Sequence, residues 1–456
     1  MNKSAPLTQF FGQRVVRDTT GRAGGPSRVG RSVAGLMLAA AFIVAPVGAS
    51  RAADAYVPAP AEAGTAIPEA TVRLGLRPYA DGSFPIIGVK KGFFSDVGIK
   101  ISPPDGLGVT EDTTNSLLVR GDIDVVHGYP PNSLPTYQTS DAIKQIMFHD
   151  VIVAGCILAN PKLDLKGIKE YMAEGMDFDK AIAAAVAPLQ GKSLASPPVA
   201  NERLFEETIS KLSGVTWQHQ IMDDSKVLVA AKANQIDFAH PGGAPIVYSL
   251  LQDKWKQLVC LDDLIAHGPL GDDSPVLASI VVVGLVANGD WVNKNANTTL
   301  RYISAVWRTI AAITADPSLY DIQAPYLNGF AGTSLTGTDI ANTVKLFQPY
   351  VPFEDNAKFY TEPDSLLNYQ RLYKKIIGAL QQNGVVPEGL TPDKFAWGGK
   401  LYEQLVDYKD QTDKLLAGLD ESKLTDDKKA FVTEAKKYYA WYDFLDAYRF
   451  AKAAAE

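Results

Sequence analysis

Residues 72–128 alternate short apolar runs with segments of helical spacing, and this alternation limits the possible folds more than any other feature of the chain. Val72–Leu76, Val97–Ile101 and Ile123–Val126 read as strands. Between them, Phe84–Phe94 has helical apolar spacing, and a second helical segment runs from Thr110 to a stop at Gly121. The order strand, helix, strand, helix, strand predicts the α/β class with a mainly parallel sheet. Ligands of such sheets bind beyond the carboxyl ends of the strands, which here are Arg77–Ser83, Asp105–Thr110 and Gly128–Asn132.

Two motifs in this stretch carry a family resemblance. Gly88–Ile101 reads GVKKGFFSDVGIKI, and Leu117–Gly128 reads LLVRGDIDVVHG. In spacing and order they resemble the opening of periplasmic solute-binding proteins of nitrate/sulfonate/taurine-type ABC importers, and the resemblance continues more weakly to about Thr314. It implies a two-lobed periplasmic binding protein fold (type II), each lobe a mainly parallel sheet covered by helices. It also implies a ligand cleft between the lobes and a permease partner in the inner membrane.

Length, charge and cysteine usage exclude several classes of protein. The 456 residues suffice for two lobes plus extensions. The formal charge of -7 argues against a nucleic-acid partner, which requires a basic surface. The two cysteines form no C-x-x-C pair, so no structural metal site or cofactor is expected. Thiamine-pyrimidine synthases share the implied fold, but their cysteine-rich motif and any G-x-S-x-G elbow are absent, and we expect no enzymatic activity.

The first 52 residues have the pattern of a signal peptide. A basic, arginine-rich segment precedes the apolar stretch Val33–Val47, which is short for a membrane span. Small residues follow, which predicts cleavage after Ala52 or Ala55, with an uncleaved anchor as the alternative. No cysteine follows the apolar stretch, so a lipid anchor is not expected and the mature chain should be released into the periplasm as a monomer.

Beyond the signal peptide the pattern divides the chain into a leader, two lobes and a tail. We predict a loose leader over 53–70, the first part of lobe 1 over 71–158, lobe 2 over 159–256, the second part of lobe 1 over 257–399, and a helical C-terminal extension over 400–456. Gln257–Leu261 and Ala278–Ala287 are interpreted as strands that return to lobe 1. Lys169–Leu189 is a helical insertion relative to the family pattern, either a surface elaboration or a lid. The C-terminal helices either pack on lobe 1 or form a docking arm.

The candidate ligand-binding residues lie where predicted strands end or predicted helices begin. From lobe 1 they are Arg77, Tyr79, Asp81, Ser83, Phe84, Gly108, Val109, Thr110, Tyr129 and His149. From lobe 2 they are Ser196, Pro197, Val199, Asn201, His240, Pro241, Gly242 and Gly243.

The chemistry of these residues favours a small anion. Gly106–Thr110 and Ser196–Asn201 each precede a helix, and helix starts offer unpaired N–H groups to a carboxylate or sulfonate. Arg77 adds a bidentate charge partner, unless it is a surface arginine. Tyr79, Phe84 and Tyr129 suit stacking on a planar ligand, and equally suit an aromatic core.

Other polar residues have two readings each. His127 is interpreted as structural, whereas His149 and His240 are candidates to donate to an anion. Pro241–Gly243 either lets backbone approach the ligand or only turns the chain. The acidic pairs at 223–224, 262–263 and 272–273 are interpreted as solvated loops rather than a cation site. Cys156 and Cys260 form a disulfide or are two buried apolar residues.

The sequence therefore predicts an extracytoplasmic solute-binding component of an ABC importer that closes around a small anion. The alternative is a periplasmic sensor or chaperone of the same fold, which the tail and the insertion would serve.

Overall fold

The computed structural model of the protein describes residues 56–77, 79–197, 200–269, 276, 281–331, 333–365 and 367–456. The predicted signal peptide therefore lies outside the described residues. Within the described ranges, no helix combines the length and the apolar character needed to cross a membrane.

The first part of lobe 1 follows the predicted alternation of strands and helices. Its elements are β1 (Ala70–Leu76), α1 (Ala80–Ser83), α2 (Pro85–Lys90), β2 (Ile99–Gly108), α3 (Glu111–Arg120), β3 (Val125–Gly128) and β4 (Ile143–Ile152). The helix predicted over Phe84–Phe94 is shorter in the structure, where α2 covers Pro85–Lys90. The preceding helix α1 was not predicted, and Pro85, which has no N–H to donate, separates the two. The loop predicted at Tyr129–Asn132 leads into a 3-10 helix over Pro130–Gln138.

Only three residues separate the end of β4 from the first strand of lobe 2. Its elements are β5 (Cys156–Ala159), α4 (Ile168–Ala173), α5 (Phe178–Val186), β6 (Ser193–Ser196), α6 (Ala200–Ser213), β7 (Gln218–Ile221), α7 (Asp224–Lys232), β8 (Phe238–Ala239), α8 (Ala244–Gln252), β9 (Lys256–Cys260) and α9 (Leu261–His267). The insertion at 169–189 is helical, as predicted, and its apolar residues Ile182, Ala185 and Val186 are buried.

The chain then returns to lobe 1 and ends in helices. These elements are β10 (Val281–Asn288), α10 (Gly289–Lys294), α11 (Ala296–Ala315), α12 (Tyr320–Ala331), α13 (Gly337–Phe347), α14 (Ala357–Tyr360), α15 (Tyr369–Gln382), α16 (Pro392–Phe395), α17 (Gly398–Ala417), α18 (Asp426–Ala440) and α19 (Phe444–Ala455). The helical C-terminal extension is therefore present, and α17 packs on β4 of lobe 1.

Each lobe is built on a five-stranded mixed sheet, with strand orders β2-β1-β3-β10-β4 and β7-β6-β8-β5-β9 in the described part of the chain. In the first sheet only β10 runs against its neighbours, and in the second only β5 does. The predicted fold class, a two-lobed periplasmic binding protein architecture with mainly parallel sheets, is confirmed by this topology.

The antiparallel strands are the first strands after each crossing, and this fixes how the lobes face each other. β4 ends at Ile152 and β5 begins at Cys156, so the carboxyl edge of the first sheet adjoins the edge where β5 starts. Because β5 is antiparallel to its neighbours, that edge is where the parallel strands of the second sheet end. The carboxyl ends of both sheets therefore meet between the lobes.

Two boundaries differ from the sequence expectation. The apolar pattern of the sequence predicts two strands here, Ile143–Phe148 and Val151–Leu158, whereas β4 runs to Ile152 because β10 pairs with it as far as that residue. Gln257–Leu261, predicted to return to lobe 1, forms β9 in lobe 2, where it pairs with β5. Of the two predicted return strands, β10 alone joins the first sheet in the described part of the chain.

The ends of β5 and β9 are joined covalently. Cys156 and Cys260 lie opposite each other in the register and form a disulfide, with their Cα atoms 4.0 Å apart. Of the two readings open at the sequence level, the disulfide is the one that the structure contains.

The leader is anchored from Tyr56 onward, in contrast to the loose segment predicted. Tyr56 is buried, and its hydroxyl donates to Gln404 in α17 at 2.7 Å. Glu62 accepts from Arg301 in α11, and the carbonyls of Gly64 and Ala66 accept from Arg449 in α19. The leader is thus attached to α11 of lobe 1 and to α17 and α19 of the C-terminal extension.

Candidate functional site

On the lobe 1 side of the cleft, Arg77 follows β1 directly. Its side chain is buried, and its guanidinium lies 5.4 Å from the ring of Tyr79. It also lies across Gly128 at the end of β3, where a Cβ atom would be only 2.1 Å from Nη1. Burial lowers the pKa of Arg77, and the charges of Tyr79 and Asp81 oppose that shift. Arg77 is thus a buried cation at the carboxyl edge of the first sheet, not a surface arginine.

Asp81 lies beside Arg77 on α1. Its side chain is buried, and Gln348, which follows α13, donates to Oδ1 at 3.2 Å. Burial raises the pKa of Asp81 from 3.8 to about 6, the charge of Asp150 raises it further, and His149 and Arg77 oppose the rise.

Two other candidates near Asp81 belong to the core of lobe 1. Ser83 donates to the carbonyl of Tyr79 at 2.6 Å and accepts from Gln323 at 2.8 Å. Phe84 is fully buried and packs edge-on against His127 and His149, with ring centroids 5.3 Å away in both cases. Both residues support the floor of the cleft rather than its surface.

Two histidines form a buried chain beneath Phe84. Nδ1 of His127 lies 3.2 Å from Nε2 of His149, and Nε2 of His127 lies 3.1 Å from the hydroxyl of Tyr302. At the other end, Nδ1 of His149 lies 2.7 Å from Asp150. Burial lowers the pKa of His149 to about 4 and that of His127 well below its usual range, and it raises the pKa of Asp150. His149 was predicted as a ligand contact, and the structure places it in this buried row of polar side chains, between His127 and Asp150.

On lobe 2 the predicted glycine amides already have partners. The N–H groups of Gly242 and Gly243 donate to the two carboxylate oxygens of Asp224 at 3.0 and 2.6 Å. Glu202, in the first turn of α6, lies against Gly242, where a Cβ atom would be 2.7 Å from its Oε1. The loop after β8 is therefore bordered by two carboxylates.

His240, the other histidine predicted to contact the ligand, lies beside the carboxylate of Glu206. Oε1 of Glu206 lies 2.9 Å from Nδ1 of His240, and its Oε2 lies 2.8 Å from Nδ1 of His219. Burial acts to raise the pKa of Glu206, but the hydrogen bond and charge of His240 outweigh it and the pKa is lowered. His240 is buried, and among the described residues its Nε2 has no hydrogen-bond partner.

Groups of the two lobes act on each other across the cleft. Burial raises the pKa of Tyr79, and the charges of Asp224 and Glu202 on lobe 2 raise it further. Burial likewise raises the pKa of Tyr129, and Glu202 adds to the shift. Tyr79 is 40% exposed. Tyr79 and Tyr129 therefore stand at the interface between the lobes, facing carboxylates.

The remaining candidates lie around the rim. Gly108 ends β2 on the exposed side, Val109 is buried, and Thr110 caps α3 through reciprocal bonds with Thr113. Ser196 ends β6, Pro197 follows it, and both are buried. Val199 lies outside the described residues, and for Asn201 only the backbone, in α6, is described. Pro241 is buried next to Gly242.

Sequence reasoning missed several groups of the site. Glu202, Glu206 and Asp224 lie on helices that follow β6 and β7, and Gln348 lies 267 positions from Asp81. For Glu202 and Asp224, a position in the first turn of a helix that follows a lobe-2 strand was a usable signal. For Gln348 the chain offers no signal, because only the tertiary fold brings it to the cleft.

The acidic pairs do not assemble into one site. Asp224 accepts hydrogen bonds from the N–H groups of Gly242 and Gly243. Asp262 and Asp263 lie elsewhere, with carboxylate oxygens 2.8 and 3.5 Å from Nζ of Lys169 in α4. Cys260, near Asp262 and Asp263, is committed to the disulfide. The pair at 272–273 lies outside the described residues.

Comparison with known proteins yields structural similarities only. No family model and no curated protein matches the chain. The aliphatic sulphonate-binding protein SsuA from Escherichia coli is 14% identical, with 73% of this chain and 99% of that chain covered and a TM-score of 0.49. SsuA from Xanthomonas axonopodis pv. citri, bound to MOPS, is 13% identical over 73% and 99%, with a TM-score of 0.48. The nitrate-binding protein NrtA from Synechocystis PCC 6803 is 14% identical over 74% and 88%, with a TM-score of 0.47. These sulfonate- and nitrate-binding proteins are of the class that the sequence motifs resemble.

Proposed function

We propose that the chain is an extracytoplasmic solute-binding component of an ABC importer, which captures a small anion between its lobes by hinge closure. The observation that carries this proposal is the meeting of the carboxyl edges of both sheets, with the buried guanidinium of Arg77 at that meeting point. Clefts between lobes are the preferred ligand sites of such architectures.

The linkage of the lobes supports closure. The crossing between β4 and β5 consists of only three residues, 153–155. A short crossing confines the rotation of two rigid lobes to few backbone positions. A ligand that contacts both lobes then stabilises the closed form, which a permease can recognise.

Arg77 supports a carboxylate or sulfonate as the ligand. A buried guanidinium presents a planar fork that matches such groups in a bidentate manner. The helix start predicted at Gly106–Thr110 contributes less to this argument, because Thr110 caps α3. On lobe 2, Asp224 holds the amides of Gly242 and Gly243. Arg77 is therefore the main anion-binding group of the proposal.

A ligand screen with a matched variant tests this function. Nitrate, alkyl and aryl sulfonates, bicarbonate and aromatic carboxylates are screened for a rise in melting temperature, since a ligand at a hundred times its Kd adds about 2.7 kcal/mol. We expect at least one anion to stabilise the wild type, and Arg77→Lys to weaken its binding about tenfold or more because the fork is lost. Lys436→Gln, on exposed α18, is the control and should bind like the wild type. A panel without any stabilising anion would refute the proposed ligand class.

Export is part of the same proposal. Cleavage after Ala52 or Ala55 would release the binding protein into the periplasm, where the permease is reached from outside. N-terminal sequencing of the exported protein tests this, and a mature chain that begins at Met1 contradicts it.

A further inference from the structure

The cluster around Asp81 contains more ionisable groups than anion binding requires. Asp81, His127, His149 and Asp150 are all buried. His127 and His149 pack against Phe84, and Nδ1 of His149 lies 2.7 Å from Asp150. The charges of Asp150, His149 and Arg77 all act on Asp81. Two carboxyl groups that share a buried space repel each other when both are ionised, so such a cluster binds protons.

We propose that Asp81 is a proton-binding group that couples capture of the anion to the uptake of one proton. The proposal rests on the proposed function and specifies how the same site is regulated. An anion held by Arg77 lies next to Asp81, because the backbone N–H of Arg77 donates to the carbonyl of Gly82 at 3.1 Å and so brings the two neighbouring side chains together. Their charges accordingly act on each other. A carboxylate in that position repels the anion, whereas a protonated carboxyl group does not and can donate a hydrogen bond.

The neighbours of Asp81 leave it as the group that titrates in the physiological range. From β4, burial lowers the pKa of His149 to about 4, which leaves this histidine neutral, and burial raises the pKa of Asp150 well above its usual range. From β3, burial lowers the pKa of His127 as well. Arg77 and Tyr79 face Asp81 from its own loop, Tyr350 and Gln348 face it from the segment after α13, burial raises the pKa of both tyrosines, and Gln348 donates to Oδ1. With the pKa of Asp81 at about 6, the free protein has this carboxyl group mostly ionised at pH 7.5.

The anion and the proton favour each other's binding. An anion beside Arg77 raises the pKa of Asp81 further, so the complex binds more protons than the free protein above pH 6. The affinity is then highest below pH 6 and falls as the pH rises, by about tenfold per pH unit for one coupled proton. Binding would thus be strongest where protons are abundant.

The test measures the binding of nitrate and ethanesulfonate by calorimetry at pH 5.5, 6.5, 7.5 and 8.5. Neither anion titrates in this range, so a pH dependence belongs to the protein. The buffers are bis-tris below pH 7 and Tris above it, which carry no sulfonate, carboxylate or phosphate group. At pH 7.5 the titration is repeated in imidazole, because buffers with different ionisation enthalpies reveal the number of protons taken up. We expect close to one proton for the wild type at pH 7.5.

Three variants make the test specific. Asp81→Asn should bind with nearly constant affinity across the range, because an amide does not titrate. Gln348→Met removes a hydrogen bond to the ionised carboxylate and should move the midpoint of the profile to higher pH. Asp427→Asn, on the exposed surface of α18, should retain the wild-type profile.

A separate measurement without ligand distinguishes failure of the coupling from failure of the function. Urea unfolding of the wild type and of Asp81→Asn from pH 4.5 to 8 should show Asp81→Asn gaining stability relative to the wild type as the pH rises through 6. An anion that binds the wild type equally at pH 5.5 and 8.5, or a pH dependence that survives in Asp81→Asn, overturns the proposal. If neither anion binds at any pH, both the coupling and the function proposed for these anions fail, and the urea profiles alone report whether Asp81 titrates near pH 6.

Discussion

At the scale of single residues, the position of the Arg77 guanidinium depends on the absence of a side chain at Gly128. The Cβ atom of any other residue there would overlap Nη1 at 2.1 Å. Real Cβ contacts are never that short, so the guanidinium would have to move. Gly128 therefore belongs to the proposed anion site, although it offers no side chain to a ligand.

We predict that Gly128→Ala weakens the binding of any anion found in the screen by about tenfold or more, and costs about 1–3 kcal/mol of stability because the site becomes overpacked. Calorimetric titration and urea unfolding measure the two effects. The matched control is Gly378→Ala in α15, where nothing lies within 4 Å of the added atom. It should leave binding unchanged and gain up to about 1 kcal/mol, since alanine favours helices over glycine. Equal affinities of Gly128→Ala and the wild type would remove Arg77 from the site.

At the scale of elements, the tail is attached to lobe 1 by a buried ionic network. Arg301 of α11 donates from Nε to Asp446 of α19 at 2.8 Å and from Nη2 to Glu62 of the leader at 2.6 Å. Arg449 donates to Asp446 as well. Burial raises the pKa of Asp443, and so does the charge of Asp446. The arrangement ties leader, α11 and α19 together, and it favours the packed tail over the docking arm.

We predict that Arg301→Gln destabilises the protein by about 3–5 kcal/mol, because it leaves the buried carboxylate of Asp446 and the half-buried carboxylate of Glu62 without their main partner. Urea unfolding measures the loss. The control is Lys436→Gln, whose exposed pair with Glu421 should contribute less than about 1 kcal/mol. If both variants were equally stable, the tail would be held by its apolar contacts alone.

At the scale of the whole molecule, the disulfide is confined to lobe 2. Cys156 and Cys260 close a loop with a sequence separation of 104 residues, which contains most of that lobe. It joins β5 and β9 next to the three-residue crossing, where the N–H of Leu261 also donates to the carbonyl of Gly155 at 2.7 Å. The bond therefore stabilises one lobe and does not lock the lobes to each other.

We predict that the double variant Cys156→Ala, Cys260→Ala loses about 2–5 kcal/mol of unfolding free energy, mainly because the unfolded chain gains freedom. Its anion affinity should remain that of the wild type wherever it is folded. Unfolding of the wild type with and without a thiol reductant is the parallel measurement. A change in affinity at constant fold would show that the disulfide acts on the hinge instead.

The sequence by itself determined the class of the fold, the strands and helices of residues 72–128, the helical insertion and the placement of most candidates near strand ends. These follow from local periodicity and from the rule that parallel strands share a carboxyl edge, both of which act over short stretches of chain. The sequence could not reveal that β9 stays in lobe 2, that Asp224 occupies the amides of Gly242 and Gly243, or that Gln348 reaches Asp81. Those outcomes depend on pairings between distant segments. Only tertiary packing decides them, because burial and charge at a site are set by whatever other segment arrives there.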